Sequence, residues 1–179
     1  SSNANWGRGT SDSPFRFIQF AISYASSFQP VHIQGASPSQ AVASEEIHIK
    51  NRAHYLKITN LRFNGKVTVE NCANVQFENC EFNFTGDYQI TIDGSNVDFS
   101  GCTATMTGGQ NGNGWIRAVG NSNVELHNSC KITARNVASL SRGAKFSFGT
   151  DTKGTVYNCI YNESSVSVGS VKGIAYTYK

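Results

Sequence analysis

Charge is scarce in this chain. Of 179 residues only 12 are acidic and 15 are Lys or Arg, a net charge of +3. The basic residues are scattered without a run, which excludes the basic patch that a nucleic-acid binder needs. Proline is scarce too, with 3 residues, so little interrupts extended strands. No stretch approaches the roughly 20 apolar residues of a membrane span, and no membrane insertion is expected. The opening Ser1-Ser2-Asn3-Ala4-Asn5-Trp6 lacks a basic segment and an apolar core, so it does not read as a signal peptide. The 5 cysteines contain no C-x-x-C pair, and no His stands beside one at ligand spacing. Neither a metal site nor a cofactor is expected from them.

What is present is Asn, Ser, Thr and Gly, residues of exposed strand faces and tight turns. They are arranged in a repeated phrase. Val75-Gln76-Phe77-Glu78-Asn79-Cys80 returns as Val97-Asp98-Phe99-Ser100-Gly101-Cys102, and again as Val124-Glu125-Leu126-His127-Asn128-Ser129-Cys130. Leu56-Lys57-Ile58-Thr59-Asn60-Leu61 leads the series, and Val156-Tyr157-Asn158-Cys159 reads as a weaker last copy. A second family interleaves with it: Ile47-His48-Ile49, Val67-Thr68-Val69 and Ile90-Thr91-Ile92. Apolar and polar residues alternate in each, the pattern of a half-buried strand. Ile47 to Val67 spans 20 residues, Val67 to Ile90 spans 23, and Val97 to Val124 spans 27. Such irregular repeats predict a solenoid of short strands, six or seven coils long, with insertions bulging from one side. The longest insertions fall at 107–115 and between about 133 and 153. Cys80, Cys102, Cys130 and Cys159 share one repeat position, which predicts a ladder of buried free thiols at an inward corner. Five unpaired thiols fit assembly in a reducing compartment.

Ahead of the first strand, Ser13-Pro14 forms a helix start. Ile18, Ala21, Ile22 and Ala25 follow at helical spacing. This predicts one helix over about 14–26, able to cover the exposed edge of the first coil. The expected organisation is a loop and capping helix over 1–30 and a solenoid over 31–179, one structural domain in all.

The Val-x-Phe-x-Asn-Cys repeats, the turn Asn at 60, 71, 79, 128 and 158, and the preceding helix resemble a right-handed parallel β-helix of the pectate-lyase-like type. The segment Gly7-Arg8-Gly9-Thr10-Ser11-Asp12-Ser13-Pro14-Phe15, followed by Ile18-Gln19, Ala21-Ile22 and then Val31-x-Ile33, resembles the start of bacteriophage tailspike and tail-fibre β-helices. The resemblance implies an all-β fold, a homotrimer, a place in the virion tail after assembly in a bacterial cytoplasm, and a bacterial surface glycan as ligand. A secreted carbohydrate-active protein is the alternative setting. No catalytic residue is carried over from the resemblance.

Stacked repeats place equivalent residues about 4.8 Å apart, so outward columns can be read from the alignment. Lys57, Gln76, Asp98 and Glu125 form one, and Thr59, Glu78, Ser100 and His127 the next. Asp98 and Glu125 are carboxylates on adjacent rungs, a spacing suited to an acid and a base or nucleophile in glycoside hydrolysis. His127 shares their face. Glu70 and Asp93 share another column, but two acids fall short of the six to eight oxygens of Ca²⁺. His32, His48 and His54 show no ligand spacing. In the Gly-rich 107–115 segment, Gln110, Asn111 and Asn113 offer amides to sugar hydroxyls, and Trp115 offers a flat apolar face. Tyr88 is expected on the same side. Asn83-Phe84-Thr85 and Asn162-Glu163-Ser164 match the glycosylation acceptor pattern, a frequent chance match in such a chain. Three functions follow as expectations: glycan recognition by a tail fibre, cleavage of that glycan by hydrolysis or elimination, and a purely structural fibre segment.

Overall fold

The computed structural model describes residues 10, 12–25, 27–107, 114–127, 129–148 and 153–162. Over these the chain is an all-β parallel solenoid of about five turns with a single helix. Among the described residues no helix is long and apolar enough to cross a membrane.

Each coil contributes three strands to a triangular section. Coil one holds β1 (Val31–Gln34), β2 (Val42–Ala43) and β3 (Ile47–Lys50). Coil two holds β4 (Leu56–Thr59), β5 (Arg62–Phe63) and β6 (Val67–Glu70). Coil three holds β7 (Val75–Glu78), β8 (Glu81–Phe84) and β9 (Ile90–Asp93). Coil four holds β10 (Asn96–Ser100), β11 (Thr103–Met106) and β12 (Gly114–Val119). Coil five has β13 (Asn123–His127) and the long β14 (Lys131–Leu140), and β15 (Lys145–Phe148) and β16 (Lys153–Asn162) follow. The first stack runs β1-β4-β7-β10-β13-β15, parallel and in register throughout. The second runs β2-β5-β8-β11 and the third β3-β6-β9-β12. β14 spans both, pairing β11 through its first half and β12 through its second.

Two of these stacks are the two strand families of the sequence. The second stack is not among them. Its strands follow each corner cysteine directly, as Glu81-Phe82-Asn83-Phe84 after Cys80 and Thr103-Ala104-Thr105-Met106 after Cys102. The last copy of the phrase is also placed differently. Val156 and Asn158 stand inside β16 opposite Ala134 and Asn136, so Asn158 is not a turn residue and Cys159 is not a corner. Phe146 instead stacks on Val124. The extra residues expected to bulge out between 133 and 153 are largely strand, in β14 and β15.

The interior is a set of stacked columns. Val75, Val97, Val124 and Phe146 follow Leu56 in one, and Ile58, Phe77, Phe99 and Leu126 form the next. Phe77 and Phe99 stack at 5.3 Å and 10°, and Phe63 and Phe82 at 5.1 Å and 12°. Phe77 meets Phe63 and Phe82 edge-on, so the two piles interlock. Each such pair adds about 0.5–1.5 kcal/mol beyond burial. Ala104 continues the Phe63–Phe82 column with a small side chain. Trp115 packs there against Phe82 at 5.4 Å and Phe99 at 4.8 Å.

Corners set the coil shape. Asn60, Asn79 and Gly101 turn the chain after the first-stack strands, and Asn51, Asn71 and Gly94 after the third-stack strands, all with φ between 51° and 61°. Asn tolerates this left-handed region because its short amide hydrogen-bonds locally. Asn71 Nδ2 donates to Asn51 Oδ1 at 3.3 Å, linking two corners. Next to the first set, Cys80, Cys102 and Cys130 are buried free thiols, and each donates its S–H to a carbonyl one coil earlier: Ile58, Phe77 and Phe99. The thiol ladder is therefore present, with three members. Cys72 belongs to the opposite corner, where its N–H donates to Ser95 Oγ at 2.9 Å and the Ser95 N–H to Ser122 Oγ at 3.3 Å.

The helix α1 (Ile18–Tyr24) is shorter than the expected 14–26, and Ser13 does not cap it. Its first N–H groups, of Ile18 and Gln19, donate to Glu45 Oε1 at 3.1 and 3.4 Å, so the cap comes from the first coil. Gln19 also treats β3 as a strand partner would. Its Oε1 accepts the His48 N–H at 2.6 Å and its Nε2 donates to the His48 carbonyl at 3.2 Å. Ile18 and Ile22 pack on the core, and the buried Arg52 Nη1 donates to the Ala25 carbonyl at 3.3 Å beyond the helix end. The expected covering of the first edge is thus achieved by about two turns of helix and the side chains of Gln19, Glu45 and Arg52.

Replacing Trp115 by Ala is expected to cost about 3–5 kcal/mol in urea unfolding, the range for a buried large aromatic. The same change at the exposed Tyr24 should cost under about 1 kcal/mol. Alkaline pH gives a second expectation. Burial pushes the Cys102 thiol well above the ordinary 9.0 and raises Cys72 as well. Unfolded thiols lose protons above that value while folded ones keep theirs. The Cys102 and Cys72 contributions are therefore full below pH 9.0 and fall as pH rises past it, while Cys130, whose thiol is held lower by its hydrogen bond with Cys102, acts in the opposite sense. The urea midpoint should drop between about pH 8 and about pH 10, and by less in Cys102→Ala.

Candidate functional site

The first stack shows its outward columns in the register read from the sequence. His32, Lys57, Gln76, Asp98, Glu125 and Ser147 form one, and Gln34, Thr59, Glu78, Ser100 and His127 the other. Their side chains bond mainly to each other, across one rung on a diagonal. His32 Nε2 meets Thr59 Oγ1 at 2.9 Å, Lys57 Nζ meets Glu78 Oε2 at 2.8 Å, and His127 Nε2 meets Asp98 Oδ1 at 2.5 Å. The Glu78 carboxylate, by accepting from Lys57, holds that ammonium above its usual range. A chain of contacts crosses four rungs: the Tyr55 hydroxyl donates to Gln76 Oε1, Gln76 Nε2 donates to Asp98 Oδ2 at 3.0 Å, and Asp98 pairs with His127.

Asp98 and Glu125 are register partners, as the alignment required. Their surroundings differ from those of a paired acid and base. Both Asp98 oxygens are engaged, Oδ2 by Gln76 and the solvent-shielded Oδ1 by an ion pair with His127. Glu125 Oε1 accepts from Asn123 Nδ2 at 3.1 Å. With both oxygens already bonded, Asp98 keeps no free atom to pass a proton to a substrate. The partnership available here is a carboxylate that orients a half-exposed imidazole. Glu70 and Asp93 are also neighbours in register, but Glu70 is paired with Lys50 at 2.9 Å. Among the described residues no group of three or more His, Cys, Asp or Glu is placed to hold a metal ion.

The second stack presents a different surface. Asn64, Asn83, Phe84, Thr85, Thr105 and Thr107 line an open groove of about 540 Å³. Asn83 and Thr105 are register partners on β8 and β11, and Thr133 of β14 continues their column. The pairing of Phe63 with Phe82 puts Asn64 beside Asn83 one residue on. Thr85 and Thr107 run alongside, with their hydroxyls 3.2 Å apart. Among the described residues the side chains of Asn64, Asn83 and Thr105 make no hydrogen bond, in contrast to the tied-up columns of the first stack. Phe84 is half-buried against the core with part of its ring in the groove. Gly86 lies against that ring, and a Cβ there would stand in tight contact, 3.0 Å from Cε1.

Of the other expected ligand contacts, Trp115 is corrected. It is fully buried between Phe82 and Phe99 and offers no face to a sugar. The reason is volume: Ala104 leaves room in the aromatic pile, and the indole fills it. Its Nε1–H has no hydrogen-bond partner among the described residues. Tyr88 does meet the start of β12, lying so close over Gly114 that a Cβ there would stand 1.9 Å from its ring. Gln110, Asn111 and Asn113 lie outside the described residues. The groove residues were missed because the second-stack strands were not separated from the phrase before them. The alternation Glu81-Phe82-Asn83 and Thr103-Ala104-Thr105 carries that signal.

Asp98→Asn keeps the shape and the Gln76 contact while weakening the His127 pair. A partly exposed pair of this kind is worth under about 1 kcal/mol, so the variant should unfold within that margin of the wild type by urea titration. No protein-family model, curated protein or solved structure matches this chain.

Proposed function

We propose that this chain is a β-helical part of a bacteriophage tail fibre or tailspike that recognises a glycan on the bacterial surface. In this reading it resembles the pectate-lyase-like β-helices, works as a homotrimer and sits in the virion tail. The parallel solenoid, its capped first coil and the Gly-rich opening of the sequence support the setting. The observation that carries the binding function is the second-stack groove, whose Asn64 and Asn83 amides and Thr105 hydroxyl, unpaired among the described residues and beside an aromatic ring, suit sugar hydroxyls and the apolar face of a pyranose.

Cleavage of the same polymer is the second reading, and the register pairing of Asp98 with Glu125 favours it. The two separate by incubating sized surface polysaccharide from candidate host bacteria with the wild type and with Asp98→Asn. Retention of polymer without new reducing ends is the expected result. New reducing ends that vanish in Asp98→Asn would install the hydrolase instead. A protein that neither holds nor cuts any polymer would be a structural fibre segment.

A further inference from the structure

We infer that the groove on the second stack takes an uncharged, extended glycan laid along the solenoid axis. This rests on the glycan-recognition reading above and adds to it the charge of the ligand, its direction and its contacts. Charge comes first. None of the six lining residues is ionisable. Of the cations on this stack, Arg62 is already neutralised, with Nε at 2.7 Å and Nη2 at 2.6 Å from the same Glu81 oxygen, and Lys131 stands two residues before Thr133, outside the lining. A carboxylated or sulfated polymer would find no cation among the lining residues. A neutral polymer asks only for hydrogen bonds and apolar contact, and the lining supplies both.

Direction follows from the register. Asn64, Asn83, Thr105 and Thr133 stand on successive rungs of one column, so their polar groups repeat about every 4.8 Å along the axis. Thr85 and Thr107 form a second row beside them. A single sugar spans one or two rungs and uses a fraction of these groups. A chain lying along the axis uses them in series, without any further ordering of the protein.

The experiment is calorimetric titration of the whole chain with two sets of sized oligosaccharides. The neutral set is glucan, mannan and chitin fragments, and the acidic set is polygalacturonate and hyaluronan fragments. The inference expects binding within the neutral set, rising about tenfold or more from one sugar to four, and falling about tenfold in Asn83→Ala/Thr105→Val, as loss of two modest hydrogen bonds requires. Thr105→Val keeps the β-branched shape, and unchanged circular dichroism and urea midpoint would show that the fold persists. Ser147→Ala, on the first stack, should leave binding unchanged. Binding of a neutral glycan that ignores the double variant, or is reduced by Ser147→Ala, would overturn the groove while leaving glycan recognition standing. Binding confined to the acidic set would overturn the charge assignment. No binding in either set would remove both the groove and the function it rests on.

Discussion

Everything in this molecule hangs on residue-for-residue parallel stacking. Each strand of a stack pairs with its neighbours without slippage, so an inward residue always meets an inward residue one rung away. A slip by one position would turn a whole column of Val, Ile and Phe to solvent and bury its polar neighbours. The interlocked phenylalanine piles enforce the register from inside, and the left-handed Asn and Gly corners enforce it from the ends of each strand. The corner thiols add a weak bond per coil and, more importantly, a small apolar group where the chain bends tightly.

The same stacking decides what the outside can do. On the first stack it brings acids and bases within reach on a repeated diagonal, and they neutralise one another. That face is stable and largely self-satisfied. On the second stack Asn64, Asn83 and Thr105 have no such partners among the described residues. A surface is available for a ligand when its polar groups are solvated rather than spent, and by that criterion the two faces differ sharply. The open edge of the first coil is closed by a related economy. Gln19 imitates a peptide group toward β3, and Glu45 caps the helix that carries it.

The solenoid was legible in the sequence because its signal is periodic and local. Lys57, Gln76, Asp98 and Glu125 could be placed in one column from spacing alone, and so could Thr59, Glu78, Ser100 and His127. Where the period failed, so did the reading. β5 is only two residues long, too short to alternate visibly, and its stack was overlooked. Val156 imitates the phrase, but the chain had already begun a new first-stack strand at Lys145. The helix start was legible as composition yet displaced, because Glu45 lies far off in the chain and comes near only when the first coil closes.

The amino-acid order by itself therefore determined the parallel coil, the identity of most inward columns, the Asn corners and the thiol ladder. These depend on contacts at a fixed step along the chain. Only the tertiary structure decided which polar residues are free and which are paired, and which large aromatics face in. Trp115 could have faced a ligand; it went inward because Ala104 left space between Phe82 and Phe99. Asp98 could have been one of two free carboxylates; it was taken by His127 and Gln76. Volume and pairing are settled among side chains from different coils, and no local pattern encodes them.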